Sequence, residues 1–387
     1  MLNFNDTATA FKMKSNAQLR KAQWLFKLLR HTWLVNIGKV ASSFALGAKL
    51  PIKGMVKATV YDQFVGGETI QDCTRIISEM YKHGVYSLLD YSIEGKETEV
   101  DFDHTRDKII DTVRYGSVHE AVPFAVFKVT GIARFALLEK VSAREVLNEN
   151  EVKEWTRVKE RVRAICQHAH DVKLCVLIDA EESWIQLAVD DLAQEMMSHF
   201  NREICIVFNT LQMYRHDRLQ FLKDSYAEAE KHGYFLGVKL VRGAYMEKEN
   251  ARAEENGYPT PIQPDKESSD RDYDAAVKLC FDNRDRISFV AGSHNEDSCR
   301  KLAQMLIDAS FPRNDKRIWF SQLYGMSDNL SFNLAKEGFN VVKYLPFGPV
   351  NETLPYLIRR AEENSSASGQ TSRELLLIEK ELIRRKV

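Results

Sequence analysis

The forty residues 173–212, KLCVLIDAEESWIQLAVDDLAQEMMSHFNREICIVFNTLQ, decide the fold. They open on an apolar run at 173–179 and pass through a stretch with helical period at 184–198. They close on a second apolar run at 204–209. Near-continuous apolarity suits strands buried on both faces, as in a parallel sheet. A strand, a helix and a further strand form the repeating unit of a parallel α/β fold. The same grammar begins after Lys82-His83-Gly84 and continues outward from this stretch. Further runs rich in Val, Ile and Leu lie at 85–90, 122–129, 235–241, 287–292, 317–321 and 340–344, with helical spacing between them, as at 152–169. Eight such units over about 280 residues predict an α/β fold of the distorted (βα)8 barrel type, with an N-terminal helical arm and a C-terminal helix. No G-x-G-x-x-G follows any run, which weighs against an open dinucleotide-binding sheet.

Composition sets the outer bounds. The chain has 387 residues, 44% hydrophobic and 28% charged, with 18 Gly and 9 Pro, which excludes disordered, collagen-like and low-complexity classes. Its 54 Lys and Arg against 55 Asp and Glu argue against electrostatic binding of nucleic acid. The longest uncharged run, 204–214, is too short to cross a bilayer as a helix. The first sixty residues differ from the rest: they carry +9, with Asp6 as the one acid, so the remainder carries −10. Residues 16–60 read as helical. In 18–29, Ala22, Leu25, Phe26 and Leu29 share one face and the other face is basic. Such a face is ordinarily solvated, and the sharper reading is contact with an acidic membrane surface.

The start MLNFNDTATAF lacks the charged region and apolar core of a secretory signal. A mitochondrial transit peptide fits less well, because lysine dominates and Ser and Arg are few. Six scattered cysteines without a C-x-x-C pair predict a reducing compartment, no disulfide framework and no metal site. The expected location is cytoplasmic, with peripheral contact at the inner membrane face. The expected organisation is a basic helical arm at 1–83, a barrel at 84–364, and a Ser-rich linker followed by a charged helix at 365–387.

Chemistry in such a barrel sits at the carboxyl ends of the strands. Those ends carry Asp90 to Glu94, Lys128 and Thr130, Asp179-Ala180-Glu181, Asn209 and Gln212, Lys239 to Tyr245, Ser293-His294-Asn295, Gln322, and Tyr344 to Gly348. For any single strand, a charged residue at solvent is the ordinary explanation. Lys128 and Lys239 are different because they sit inside apolar runs. A buried unpaired ammonium is costly, so each calls for an anion or an acid, with Glu94 and Asp179 as the natural partners. After the last strand, Tyr356, Arg359, Arg360 and Glu363 fall at i, i+3, i+4 and i+7 of a helix that Thr353 is placed to cap. Two such arginines can chelate a carboxylate or phosphate, although an exposed helix with i,i+4 ion pairs would show the same letters.

Together, Lys239-Leu-Val-Arg-Gly-Ala-Tyr245 and Tyr356-Leu-Ile-Arg-Arg360 with Glu363-Asn364 resemble the proline dehydrogenase family. Asp179-Ala-Glu181, Gln212, Ser293-His-Asn295 and Tyr344-x-Pro-x-Gly348 follow in family order. The resemblance implies a distorted (βα)8 barrel holding FAD, oxidation of L-proline to 1-pyrroline-5-carboxylate, and transfer of electrons to a membrane quinone. It implies that Arg359, Arg360 and Lys128 hold the proline carboxylate, that Tyr344 and Tyr356 pack on the ring, and that Glu94 steadies a cationic partner. Asp179 and Lys239 would be the catalytic pair, with Lys239 beside flavin N5. Ala180, Gln212, Val241, Arg242, Gly243, Ala244, Lys266, Ser293, His294 and Glu363 would contact or orient the flavin. Two departures matter: many relatives carry arginine at the place of Lys239, and the stretch 259–266, PTPIQPDK, differs from the family loop. The rivals are hydroxyproline as substrate, a barrel lyase using Lys128 or Lys239 as a Schiff base, and a membrane-surface scaffold working through 1–60.

Overall fold

The apolar runs form eight parallel strands: β1 (Val85–Tyr91), β2 (Phe124–Lys128), β3 (Cys175–Asp179), β4 (Val207–Gln212), β5 (Leu236–Val241), β6 (Ile287–Gly292), β7 (Ile318–Leu323) and β8 (Val341–Phe347). They close into a barrel in sequence order. The computed structural model describes residues 2–30, 53–93, 95–366 and 368–387. The part of the predicted arm at 31–52, and Glu94, lie outside the described residues.

Strand limits follow local hydrogen bonding. The run at 204–209 predicts a strand three residues earlier than the observed β4. The reason is Asn201, whose Oδ1 accepts from the N–H groups of Ile206 and Val207, both at 2.9 Å, and whose Nδ2 donates to Val207 O at 2.8 Å. The chain is tied into a side-chain-bridged turn up to 207, and its register with β3 starts there, Val176 standing opposite Val207. At the other extreme, β8 runs on through Pro346, which cannot donate to a ladder but whose carbonyl accepts from Gly66 N at 2.8 Å. Helix starts carry their own signals. Asn148 and Glu151 form a capping box ahead of Glu149–Asp171, and Thr69 and Asp72 do the same ahead of Ile70–Tyr81.

The described residues divide into two compact units. The first holds Met1–Ser92, His294–Glu296 and Ser321–Val387. Within it, β1 pairs with β8, Leu88 standing opposite Tyr344 and Asp90 opposite Pro346. The segment before β1 is seated on neighbouring loops. Tyr61 Oη donates to Gly348 O at 2.8 Å and Gln63 Nε2 to Gly325 O at 2.7 Å. A Cβ on Gly325, at φ +80°, would stand 2.0 Å from Gln63 O, so glycine is required at that crossing. The helix Asn16–Leu29 buries Leu19, Ala22, Leu25, Phe26 and Leu29, and it packs against the terminal helix Ser368–Arg384. Its apolar face is therefore used inside the unit, and its basic face remains outward. The helix Leu354–Ser366 continues through Asn364.

The second unit holds Ile93–Ser293 and Asp297–Phe320. It contains β2 to β6 in parallel register, with Lys128 opposite Asp179 and Thr210 opposite Lys239. No residue of β2 or β4 is exposed, as a strand covered on both faces requires.

Candidate active site

In the second unit, the ends of β3, β4 and β5 converge on Asp179. Lys239 Nζ donates to Asp179 Oδ1, and Thr210 Oγ1 reaches the same oxygen at 3.3 Å. Asp179 and Lys239 are 7% and 5% exposed, so this is a buried ion pair rather than a surface one. Lys128 is likewise buried at the last position of β2. Behind them runs a polar network that fixes the strand ends. Glu181 accepts from Thr130 N at 3.2 Å and Thr130 Oγ1 at 2.6 Å. Gln186 accepts from Glu181 N at 3.0 Å and donates to Asp190, which also receives Asn209 at 2.9 Å and Arg218 at 2.6 Å. Gln212 closes β4 with its Oε1 buried and without a hydrogen-bond partner.

After β5 the backbone leaves the ladder as a half-exposed strip through Val241, Arg242, Gly243 and Ala244. Met213 N and Tyr214 N donate to the carbonyls of Val241 and Arg242, both at 2.8 Å. Gly243 has φ +141°, and a Cβ there would lie 2.4 Å from the Tyr214 ring, so the strip needs glycine twice over. Arg242 is held on three sides: by Asp270 at 2.5 Å, and by Ser293 Oγ and Ser298 Oγ at 2.9 Å each. It lies over the Tyr273 ring at 4.3 Å. Lys266, largely exposed, also binds Asp270. Burial alone would raise the Asp270 carboxyl, but the Lys266 and Arg242 charges outweigh it and leave it below the usual range.

In the first unit, Tyr356, Arg359, Arg360 and Glu363 share one face of Leu354–Ser366. Arg360 is buried and Arg359 half-buried. Arg360 presents its fork to Glu363, with Nη1 at 2.5 Å and Nη2 at 2.6 Å, and its Cζ stands 5.2 Å from the Tyr356 ring centroid. Its Nε is buried and bonded to nothing. Asn364 Nδ2 donates to Arg360 O at 2.7 Å, which braces the last turn. Thr353 precedes the helix as predicted, but its hydroxyl donates back to Val350 O at 3.1 Å and Pro349 O at 3.3 Å. Tyr344 is buried in β8, and its carbonyl accepts from Tyr324 N at 2.9 Å. His294 Nδ1 lies 2.8 Å from Ser327 Oγ.

Sequence reasoning missed several of these partners. Asp190 and Gln186 left a trace, as two polar residues at i,i+4 spacing on the apolar side of a helix. Asp270, four residues after Lys266, left another. Ser327 and Ser298 left none.

A parallel barrel with buried cations, carboxylates and amides at its strand ends has the frame of a barrel enzyme, whose chemistry sits at that end of the strands. The family model described as proline dehydrogenase matches residues 73–373, and the chain belongs to the proline dehydrogenase family, which is a family of oxidoreductases. It is 36% identical to the carbapenem antibiotics biosynthesis protein CarD of Pectobacterium carotovorum subsp. carotovorum over 87% of each chain. It is 29% identical to proline dehydrogenase 1, mitochondrial, of Dictyostelium discoideum over 98% of this chain and 74% of that one. It is 30% identical to hydroxyproline dehydrogenase of Xenopus laevis over 99% and 90%. Proline utilization A from Bdellovibrio bacteriovorus shares the fold, with a TM-score of 0.71 at 20% identity over 94% of this chain, which spans 36% of that longer one.

Proposed function

We propose that the protein oxidises L-proline to 1-pyrroline-5-carboxylate with a bound FAD and passes the electrons to a quinone. The observation that carries this reading is the Arg360 side chain: buried, forked on Glu363, stacked on Tyr356 and retaining an unsatisfied Nε. A guanidinium so confined suits a small anionic substrate end better than solvent.

The residues also fit the cofactor. Gln212 Oε1 is a buried acceptor without a donor, the kind of atom an N–H of a planar heterocycle satisfies. Arg242, Lys266, Ser293 and His294 supply the cationic and hydroxyl donors that phosphate and ribose groups need. When bound, the flavin supplies the two-electron acceptor that takes a hydride from the proline carbon next to nitrogen.

The protein's own part is orientation and field. Arg359, Arg360 and Lys128 fix the carboxylate. Tyr344 and Tyr356 pack on the ring, and Glu363 keeps the Arg360 fork in one plane. The proline amine is neutral in the reactive state, so that its lone pair assists departure of the hydride. Holding the reacting atoms in line can replace about 7–11 kcal/mol of entropic barrier in favourable cases. Lys239, held by Asp179, places a positive charge where negative charge accumulates. Ala180, Val241, Gly243 and Ala244 offer backbone beside these side chains.

Bulky Tyr344 favours unsubstituted proline, because a ring hydroxyl needs both space and a partner. The kcat/KM for L-proline should exceed that for trans-4-hydroxy-L-proline by about tenfold to a hundredfold. A ratio at or below one would instead favour the hydroxylated substrate. The outward basic face of Asn16–Leu29, with Trp24 53% exposed beside it, gives a route to an anionic membrane where quinone resides. No helix among the described residues is long and apolar enough to cross a membrane. Flotation with liposomes should rise with anionic lipid content, and flotation independent of lipid charge removes this route.

A further inference from the structure

The terminal helix Ser368–Arg384 places Arg373 on the segment that carries His294 and the next residue, Glu374, on the turn at Ser327. Arg373 Nε donates to Glu296 at 2.7 Å, and Asn329 Nδ2 reaches the same carboxylate oxygen at 3.1 Å. Glu374, 3% exposed, accepts from the backbone N–H of Ser327, whose hydroxyl in turn meets His294 Nδ1 at 2.8 Å. Ser327 has φ +50°, a left-handed conformation that a non-glycine residue keeps only where its surroundings hold it. Around it, Lys343 is buried and binds Asp328 at 2.9 Å, and Lys14 approaches the same carboxylate at 3.9 Å. An imidazole whose Nδ1 is engaged by a hydroxyl on a held backbone has its ring rotation restrained.

We propose that Glu374 is a positioning residue for nucleotide binding, holding Ser327 so that Ser327 sets the imidazole of His294 toward the cofactor. This rests on the reading of His294 as an FAD-binding residue. The terminal helix then does more than cover the fold, because its Arg373-Glu374 pair carries the geometry of the 294–296 segment. Burial and then the Asp328 charge push the Glu374 carboxyl up to about 7, so the neutral isostere in Glu374→Gln keeps both the acceptor and the packing.

The test is the FAD dissociation constant of the full chain, read from flavin fluorescence, for single variants and for their combinations with His294→Ala. Glu374→Ala and Ser327→Ala should each weaken FAD binding by about tenfold. Glu374→Gln should stay near wild type, and KM for proline at saturating FAD should be unchanged in all three. Added to His294→Ala, neither alanine substitution should weaken binding further. Wild-type FAD affinity in Ser327→Ala and Glu374→Ala overturns the proposal. So does an equal loss with and without His294, which is what a merely structural role produces. If Glu374→Ala does not fold, Ser327→Ala, which removes one hydroxyl, decides the matter. Wild-type affinity in His294→Ala alone would remove the underlying reading of His294 and the coupling with it.

Discussion

Replacing Arg359 and Arg360 together by alanine should raise the KM for L-proline by a factor of about 10² to 10⁴ and leave bound flavin largely in place. Charge-assisted hydrogen bonds contribute about 1.5–3 kcal/mol each, and each 1.4 kcal/mol is a factor of ten. Part of the effect is indirect. The Arg360 fork is committed to Glu363, so its loss also strips Glu363 of its bidentate partner at 2.5 and 2.6 Å. Glu363→Gln separates the two contributions, because it loosens Arg360 while keeping the cation, and it should show a smaller rise than the double variant. Steady-state kinetics alongside the ratio of flavin to protein absorbance reads both quantities. A wild-type KM in the double variant would mean that the carboxylate binds elsewhere.

The second large effect belongs to the buried pair Lys239–Asp179. Removing one member of a buried pair costs about 3–5 kcal/mol because the other charge is left uncompensated. Asp179→Ala should therefore lower the melting temperature by several degrees as well as the activity. Lys239→Met should slow flavin reduction by about 10² to 10³, the usual cost of losing one preorganised group aimed at developing charge. Lys239→Arg should retain most of the rate, since the charge persists and Thr210 and Asp179 still stand beside it. Stopped-flow mixing with proline measures these rates. Unchanged reduction in Lys239→Met would show that the cation plays no part in the chemistry.

The barrel was legible because its strands are continuously apolar. That is the mark of burial on both faces, and all eight runs overlap an observed strand. Boundaries were less legible where a side chain outside the run intervened. Asn201 delays β4, and its role depends on three backbone groups that no periodicity reveals. The meeting of Asp179 with Lys239 was foreseeable, because a lysine inside an apolar run must find a carboxylate. Its Thr210 neighbour and the Asp190 network were not foreseen, because they depend on register between strands. The burial of Arg360 could not be told from an exposed i,i+4 pair by spacing alone, since both give the same letters. The Glu374–Ser327–His294 chain joins residues 80 positions apart through a left-handed serine, and nothing local in the sequence marks it.

The most direct test is an absorbance spectrum of the purified protein before and after anaerobic addition of L-proline, run beside the Arg359→Ala, Arg360→Ala double variant. The wild type should show an oxidised flavin spectrum that bleaches at low proline concentration, and the double variant should be equally yellow but bleach only at far higher concentration. A colourless protein that takes up no FAD, or a flavin that proline leaves oxidised, would contradict the account.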